Sequence, residues 1–300
     1  MITTFGEIYK IGVTRLEQAG IDNAKHDAES LMLYMMHEDK NFLFVHKNDC
    51  SDETHAEGYF ALVDRRASGE PLQYIEGTQE FMGLPFEVTP DVLIPRQDTE
   101  TLVELAIDEA KKRKGSLDIL DMCCGSGAIA VSMAHFLPRS KVTACDVSEA
   151  ALAIARKNAK KNGVEKRITF AKTDMFEKEK HGKRSQIKGK YDMILCNPPY
   201  IETDVIPTLQ TEVKDHEPML ALDGGKDGLD FYRLIARDAA AHLKKKGQLM
   251  LEIGCDQAAA VTALLDDAGF YIDIAVHQDL PGLDRVITCQ RVEKLKPATE

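Results

Sequence analysis

From residue 117 onward, short apolar runs alternate with amphipathic stretches, and this alternation constrains the fold more than any other feature of the chain. Residues 117–122, 141–146, 168–171, 191–196 and 248–253 read as strands. Helices are expected from Ala128, after a Ser148 cap, over 229–243 and over 257–267. Strand–helix alternation of this kind implies a parallel sheet with helices on both faces. The last two strands, 271–276 and 284–290, have no helix between them, which predicts an antiparallel pair at one edge.

The first 75 or so residues read differently, as helices only. Thr4-Phe-Gly-Glu7 has the capping-box pattern. Ala28, Leu31, Met32, Met35 and Met36 recur at helical spacing, as do Ala56, Tyr59, Phe60 and Val63, and core packing explains both stripes. Gln79 to Val88, alternating around Gly83, reads as a β-hairpin, and a helix is expected from Asp98 or Thr99 to about Arg113. The expected organisation is a helical domain at 1–77, a hairpin linker at 78–95, an α/β domain at 96–293 and a frayed tail at 294–300.

A net charge of −11 disfavours a protein that lives on nucleic acid, because phosphate binding needs a basic footprint. Residues 1–77 carry 7 Lys and Arg against 14 Asp and Glu, much of that acidity. The basic clusters at 111–114 and 244–246 are expected to end helices, where cations complement the helix dipole, and 178–190 reads as a low-complexity loop. The 7 cysteines have no metal-type spacing, so reduced thiols in a cytoplasmic protein are expected, with no metal site. No apolar run reaches the roughly 20 residues of a membrane span, and Met1 to Lys10 lacks a signal-peptide pattern. No apolar interaction helix stands out, so a monomer is expected.

Ile119-Leu-Asp-Met-Cys-Cys-Gly-Ser-Gly-Ala-Ile-Ala130 combines a strand, a glycine turn and a helix start. Gly125 and Gly127 let the backbone approach a ligand, with Cys123, Cys124 and Ser126 between and before them. Asp121 and Asp146 stand at successive strand ends, where ligands of open α/β sheets bind, and Asp146 can accept from two ribose hydroxyls. Asp174 follows the third strand at a place suited to an adenine amine, with Met175 as an apolar wall. Gly125-x-Gly127-x-x-Ala130 also satisfies the loose dinucleotide fingerprint, so these residues alone leave a hydride-transfer enzyme open.

Asn197-Pro-Pro-Tyr200 follows the strand at 191–196. Prolines can simply stop a strand, but that does not account for the flanking Asn and Tyr. The lone pair of an amide or aromatic amine nitrogen is delocalised, so its N–H groups need acceptors that turn it toward a methyl sulfonium. Asn197 and Asn197 Oδ1 in particular supply one acceptor, the Pro198 carbonyl a second, and Pro199 stiffens the turn. Tyr200 can stack on a flat substrate group. Catalysis is then mostly positioning. A dehydrogenase has no use for such a group. The reading is a methyltransferase that uses S-adenosylmethionine, with Asn197 beside the cofactor and catalytic work falling to Asn197, Pro198 and Tyr200. A cofactor-binding regulator without catalysis would be expected to carry a damaged motif, and this one is intact.

The chain resembles the peptide chain release factor glutamine methyltransferases, the HemK/PrmC family, from Gly69 to about Ile287. Shared segments include Pro71-Leu-Gln-Tyr-Ile-x-Gly77, Ile94-Pro-Arg-x-x-Thr-Glu100, Glu217-Pro218, Ala221-Leu-x-Gly-Gly-x-Asp-Gly-Leu-Asp230, Glu252-Ile-Gly254 and Asp279-Leu-Pro-Gly282. The resemblance implies a seven-stranded Rossmann-like class I methyltransferase domain behind a small helical domain that helps hold a protein substrate. It implies methylation of the N5 amide of the glutamine in a Gly-Gly-Gln loop of class I release factors. It also places Arg96, Thr99 and Glu100 near the cofactor, with helix capping by Thr99 and an ion pair from Arg96 as structural rivals. An exocyclic amine of DNA or RNA is the alternative substrate, since Asn-Pro-Pro-Tyr is shared with enzymes that modify such amines. In the family's usual Asp-Leu-Gly-Thr-Gly-Ser-Gly loop, Cys123 and Cys124 here replace the first Gly and the Thr, and Gln97-Asp98 replaces Pro-Glu.

Overall fold

The computed structural model describes residues 3–176, 187 and 189–293. The chain forms two compact units, one of Met1–Thr78 with Gln210–His216 and one of Gln79–Leu209 with Glu217–Glu300. Most of the basic stretch 178–190, and the tail 294–300, lie outside the described residues.

The first unit holds α1 (Phe5–Gln18), α2 (Ala24–Met36), α3 (Phe42–His46), α4 (Glu53–Ala67), α5 (Leu72–Glu76) and, from its later segment, the short α9 (Thr211–Lys214). The Thr4–Glu7 capping box closes at the start of α1: the Glu7 N–H donates to Thr4 Oγ1 at 3.3 Å and the Thr4 N–H to Glu7 Oε2 at 2.9 Å. Ile8, Leu16, Ala28, Leu31, Met32, Tyr59 and Val63 are buried together, and Met35 and Met36 pack against them. Tyr59 lies over Gly12, where an added Cβ would stand 2.2 Å from its hydroxyl, and that hydroxyl donates to the Ala28 carbonyl at 3.0 Å. The expectation of helices only needs one correction. β1 (Thr3–Thr4) pairs antiparallel with β2 (Cys50–Ser51), because the backbone entering α1 has no helical partners and finds them in the turn before α4.

In the second unit, β3 (Thr78–Phe81) pairs with β4 (Leu84–Glu87) through Met82 and Gly83, both at positive φ, as a two-residue hairpin turn requires. α6 (Asp98–Lys111) follows. The main sheet is built from β5 (Asp118–Met122), β6 (Lys141–Asp146), β7 (Ile168–Lys172), β8 (Tyr191–Cys196), β9 (Leu243–Glu252), β10 (Tyr271–Gln278) and β11 (Asp284–Arg291). Its order is β10-β11-β9-β8-β5-β6-β7. β5 pairs in parallel with β6 and β8, and the parallel pairing extends to β7 and β9. β11 and β10 add antiparallel at the β9 edge, as the missing helix between them implies.

Alternate residues of the central strands serve opposite faces. Ile119, Val142, Met193 and Leu195 lie under α6, α7 (Ala128–Phe136) and α8 (Glu149–Lys161). Leu120, Ile194, Leu249 and Leu251 lie under α10 (Asp230–His242) and α11 (Ala258–Ala268). Each such side chain contributes about 1.5–3 kcal/mol by leaving water. Every residue of α7 from Ala128 to Ala134 is buried, so the helix behind the glycine turn is held on all sides.

Lys244 to Lys246 do not end a helix. They lie in β9, which is ten residues long, and Lys244 Nζ sits 2.7 Å from Asp118 Oδ2 and 2.8 Å from Asp192 Oδ2. The stretch falls at a break in the β8–β9 register, between the pairs Tyr191–Leu243 and Met193–Gln248, with Lys246 at φ of 61°. All seven cysteines are unpaired. Among the described residues no helix is long and apolar enough to cross a membrane.

Candidate active site

The turn after β5 is tightly wound. Cys123, Gly125 and Gly127 have φ of 62°, 51° and 81°. For the glycines this conformation is free of strain, whereas for Cys123 it costs roughly 1–2 kcal/mol. The position is the one that glycine occupies in the family's usual loop. The Cys124 N–H donates to the Cys145 carbonyl of β6 at 2.8 Å and the Gly127 N–H to the Cys124 carbonyl at 2.7 Å, so one neighbouring strand and the turn's own backbone hold the strained turn in place. An added Cβ on Gly127 would stand 3.0 Å from the Ala155 Cβ, which keeps α7 and α8 close.

Asp146 secures the same loop. Its Oδ2 accepts from the Gly125 N–H and its Oδ1 from the Ser148 N–H, both at 2.9 Å. Burial raises its carboxyl above the usual range, and those N–H groups oppose the rise. Each oxygen retains a lone pair for a ligand hydroxyl. Asp121 does a different job from the one expected. It is wholly buried, its Oδ2 accepts from the Ala130 N–H at 2.9 Å, and it ties the strand to α7 without reaching the cavity wall. Its Oδ1 has no partner, and burial holds the carboxyl well above the ordinary range.

Beside this turn is an open cavity with an empty volume, mouth included, of about 1040 Å³. It brings together Arg96, Thr99, Cys123, Cys124, Gly125, Ser126, Asp146, Asp174, Met175, Asn197 and Pro199. Asp121, Gly127, Pro198, Tyr200 and Glu100 are not on its wall. Sequence reasoning missed Asp91 to Leu93, Val147, Leu220 and Phe231, which also line it and carry no local signature of a site. Gly125 has no atom within 4 Å of where a Cβ would stand, so a side chain there would enter the cavity. A bare main-chain floor, a carboxylate with spare lone pairs and apolar walls at Met175 and Phe231 fit an S-adenosyl nucleoside.

Asn197 leaves β8 at its ligand edge. Its Nδ2 donates to Thr99 Oγ1 at 3.2 Å, from the first turn of α6. Thr99 therefore does not cap that helix, whose N-cap residue Gln97 makes no side-chain cap bond. Pro198 and Pro199 are buried. The Tyr200 hydroxyl reaches Glu252 Oε1 at 3.4 Å, with its ring packed against the core under α10 and α11, and burial raises its pKa. Glu252 is 1% exposed, and burial pushes its carboxyl up to about 7.

The backbone after the motif is clamped from outside. Gln257 Nε2 donates to the Tyr200 carbonyl at 2.9 Å and the Gly228 carbonyl at 3.3 Å. Ile201 bridges Asp223 in parallel, and the Gly224 N–H donates to the Ile201 carbonyl at 2.8 Å. The Gly-Gly-x-Asp-Gly-Leu segment is thus a support for the Asn-Pro-Pro-Tyr turn.

The Ile-Pro-Arg segment is fixed by Glu217. Its Oε1 accepts from the Ile94 N–H at 3.0 Å, and its Oε2 pairs with Arg96. Glu100 accepts from the Met82 N–H at 2.5 Å and so anchors the hairpin, away from the cavity. Arg285 joins Asp98 at 3.3 Å and Asp279 at 3.1 Å.

A sheet of this order, with a ligand cavity over a glycine turn and Asn-Pro-Pro-Tyr at its rim, defines an S-adenosylmethionine-dependent methyltransferase of the Rossmann-like class. Residues 98–225 match the methyltransferase small domain, and residues 7–77 match the PrmC N-terminal domain. The chain is 42% identical to the release factor glutamine methyltransferase of Moorella thermoacetica, over 94% of this chain and 96% of that one. It is 42% identical to that of Geobacter sulfurreducens, over 91% of each, and 44% identical to that of Agrobacterium fabrum, over 77% of this chain and 78% of that one. The chain belongs to the release factor glutamine methyltransferase family.

Proposed function

We propose that this protein methylates the N5 amide nitrogen of the glutamine in the Gly-Gly-Gln loop of class I release factors, acting as a cytoplasmic monomer without direct contact to nucleic acid. S-adenosylmethionine, when bound, supplies an electrophilic methyl group on a sulfonium. Asp146 and the Gly125 backbone would hold its ribose and amino-acid portions, and Asp174 and Met175 would border the adenine.

The observation that carries the reading is the hydrogen bond from Asn197 Nδ2 to Thr99 Oγ1. With the amino end of the side chain turned to Thr99, its carbonyl end is left to accept from a substrate N–H at the cavity. The Pro198 carbonyl accepts from the second N–H. A primary amide with both protons held in this way has its nitrogen lone pair turned out of the hydrogen-bonding plane, toward the methyl donor. No strong base is needed, because the methylated amide is acidic enough to lose its extra proton to solvent. The acidity of residues 1–77 suits a release factor with a basic, ribosome-facing surface and supports a protein substrate over nucleic acid.

The test is transfer of labelled methyl from S-adenosylmethionine to a purified class I release factor, with duplex DNA and ribosomal RNA offered separately. Label on the Gly-Gly-Gln glutamine, lost when that glutamine is replaced by alanine, is expected. Label on nucleic acid alone would retain the amine chemistry and overturn the substrate.

A further inference from the structure

We infer that Met219 and Leu220 form an apolar lip that docks the stretch of the substrate protein on which the methylated glutamine is presented. The inference rests on the proposed function and adds to it a surface that recognises the protein around the glutamine.

The cavity lining divides along the order of the sheet. Cys123 to Ser126, Asp146 to Ser148 and Thr173 to Met175 follow β5, β6 and β7, and these stretches carry the groups proposed to hold S-adenosylmethionine. Asn197 and Pro199 follow β8, which pairs with β5 on the side away from β6. Pro218, Leu220 and Ala221 belong to that second side. The Ile201 N–H donates to the Leu222 carbonyl at 3.0 Å, which ties their segment to the chain leaving β8. With the cofactor beside β5 to β7 and Asn197 at the boundary, the wall at 218–221 is left to the substrate.

The lip is exposed and yet firmly held. Met219 is 54% and Leu220 56% exposed, although Leu220 lines the cavity. Both sit on one turn of 3-10 helix, Met219–Ala221. The Ala221 N–H donates to the Pro218 carbonyl at 2.8 Å, and the Leu222 and Asp223 N–H groups both reach the Met219 carbonyl at 3.0 Å. Glu217, just before the turn, is buried and accepts from the Ile94 N–H at 3.0 Å. Asp223, just after it, accepts from Thr203 Oγ1 at 2.7 Å and from the Gly225 N–H at 2.9 Å. A braced turn has little freedom to lose when a partner arrives, so covering its apolar side chains is a net gain.

The chemistry of the lip selects a protein. A primary amide is small and polar, and Asn197 with the Pro198 carbonyl already takes both of its N–H groups. Leu220 and Met219 at the rim suit what surrounds that amide, the aliphatic carbons and main chain of the loop that presents it. From Glu217 to Gly224 the chain has no Lys or Arg, and its charged residues are Glu217 and Asp223. Arg96, the one cation in the described cavity lining, is paired with Glu217. A nucleic acid bringing a base to Asn197 would find no free cation on this segment for its phosphates.

The experiment measures methyl transfer to a class I release factor by the full chain and its Leu220→Ser, Met219→Ser and Leu220→Met variants. Calorimetric titration with S-adenosylhomocysteine is done on the same samples. Leu220→Ser is expected to raise KM for the release factor about tenfold and Met219→Ser about fivefold, the size of apolar side chains covered on binding. Changes in kcat and in S-adenosylhomocysteine affinity should stay below about threefold, the pattern of lost substrate binding alone. Leu220→Met keeps the volume and apolar character and should bring KM back to within about twofold of the wild type. An unchanged KM in either serine variant, a loss confined to kcat, a parallel loss of S-adenosylhomocysteine affinity, or a Leu220→Met no better than the serine would each overturn the lip. Those outcomes arise in a wild type that does methylate the release factor, and they leave the proposed function standing. A wild type that methylates only nucleic acid overturns the proposed function, and the docked protein with it.

Discussion

The carbonyl of Tyr200 lies so close to Gly228 that a Cβ on Gly228 would stand 2.4 Å from its oxygen. Gly228 also has φ of 68°, where a side chain is strained. The obstacle is main chain, which cannot rotate away, so Gly228→Ala must displace the turn that carries Asn197. A displacement of about 1 Å costs on the order of 100-fold in rate. The expected outcome is a loss of that size in kcat, with S-adenosylhomocysteine affinity kept within a few fold because the glycine turn at 123–127 is untouched. Wild-type turnover by Gly228→Ala would refute the assignment of this segment as a support.

Asn197→Ala removes the acceptor and leaves the cavity floor intact. Methyl transfer should drop by about two orders of magnitude or more, while calorimetric titration with S-adenosylhomocysteine should give an affinity close to wild type. Loss of both together would mean that Asn197 holds the cofactor instead of orienting the acceptor. Asp146→Ala should give the opposite pattern. It removes the acceptor for the Gly125 and Ser148 N–H groups, so cofactor affinity should fall by more than tenfold.

The strands at the heart of the site could be read from sequence because their limits are local. Lys141–Asp146 and Tyr191–Cys196 are apolar runs closed by turn residues, and both form as expected. The glycine turn and Asn197 could be read because each needs particular residues at fixed spacing. Their supports had no such local mark. Thr99 meets Asn197 across 98 residues of sequence, and Glu217 holds Ile94 across 123. Lys244 looked like a helix end and became part of a strand, and the Asp118 and Asp192 carboxylates that bind it are remote in sequence. Asp121 ended in the core for a related reason. A carboxylate near a strand end can face a ligand or bond to the next helix, and only the path of α7 decides between them.

In the helical unit, Arg66 Nε donates to Asp27 Oδ2 at 2.8 Å, with side chains 8% and 7% exposed. Arg66 also pairs with Glu212 at 3.1 Å and donates to the Glu70 carbonyl at 3.1 Å. Asp27→Ala removes the one buried carboxylate that faces Arg66 and leaves it the more exposed Glu212 as its charged partner, so the substitution should cost about 3 kcal/mol in denaturant unfolding. Replacing both, with Asp27→Leu and Arg66→Met, should recover most of that loss, since a well-packed apolar pair avoids the desolvation penalty. A double variant as unstable as the single one would show that Arg66 is held mainly by Glu212 and Glu70.

Glu252 makes the stability of the fold depend on pH. Its carboxyl is pushed by burial from an ordinary value of 4.5 to about 7. The folded state therefore holds a proton that the unfolded chain releases between those values. The resulting stabilisation is complete below pH 4.5 and is lost as pH rises through 7, after which the difference is constant. A shift of this size corresponds to about 3 kcal/mol. Glutamine does not titrate, so Glu252→Gln should gain stability relative to the wild type as pH rises from 5 to 8, and no more above that. Denaturant midpoints at pH 5, 7 and 8.5 measure this directly, and a difference independent of pH would show that the carboxyl titrates normally.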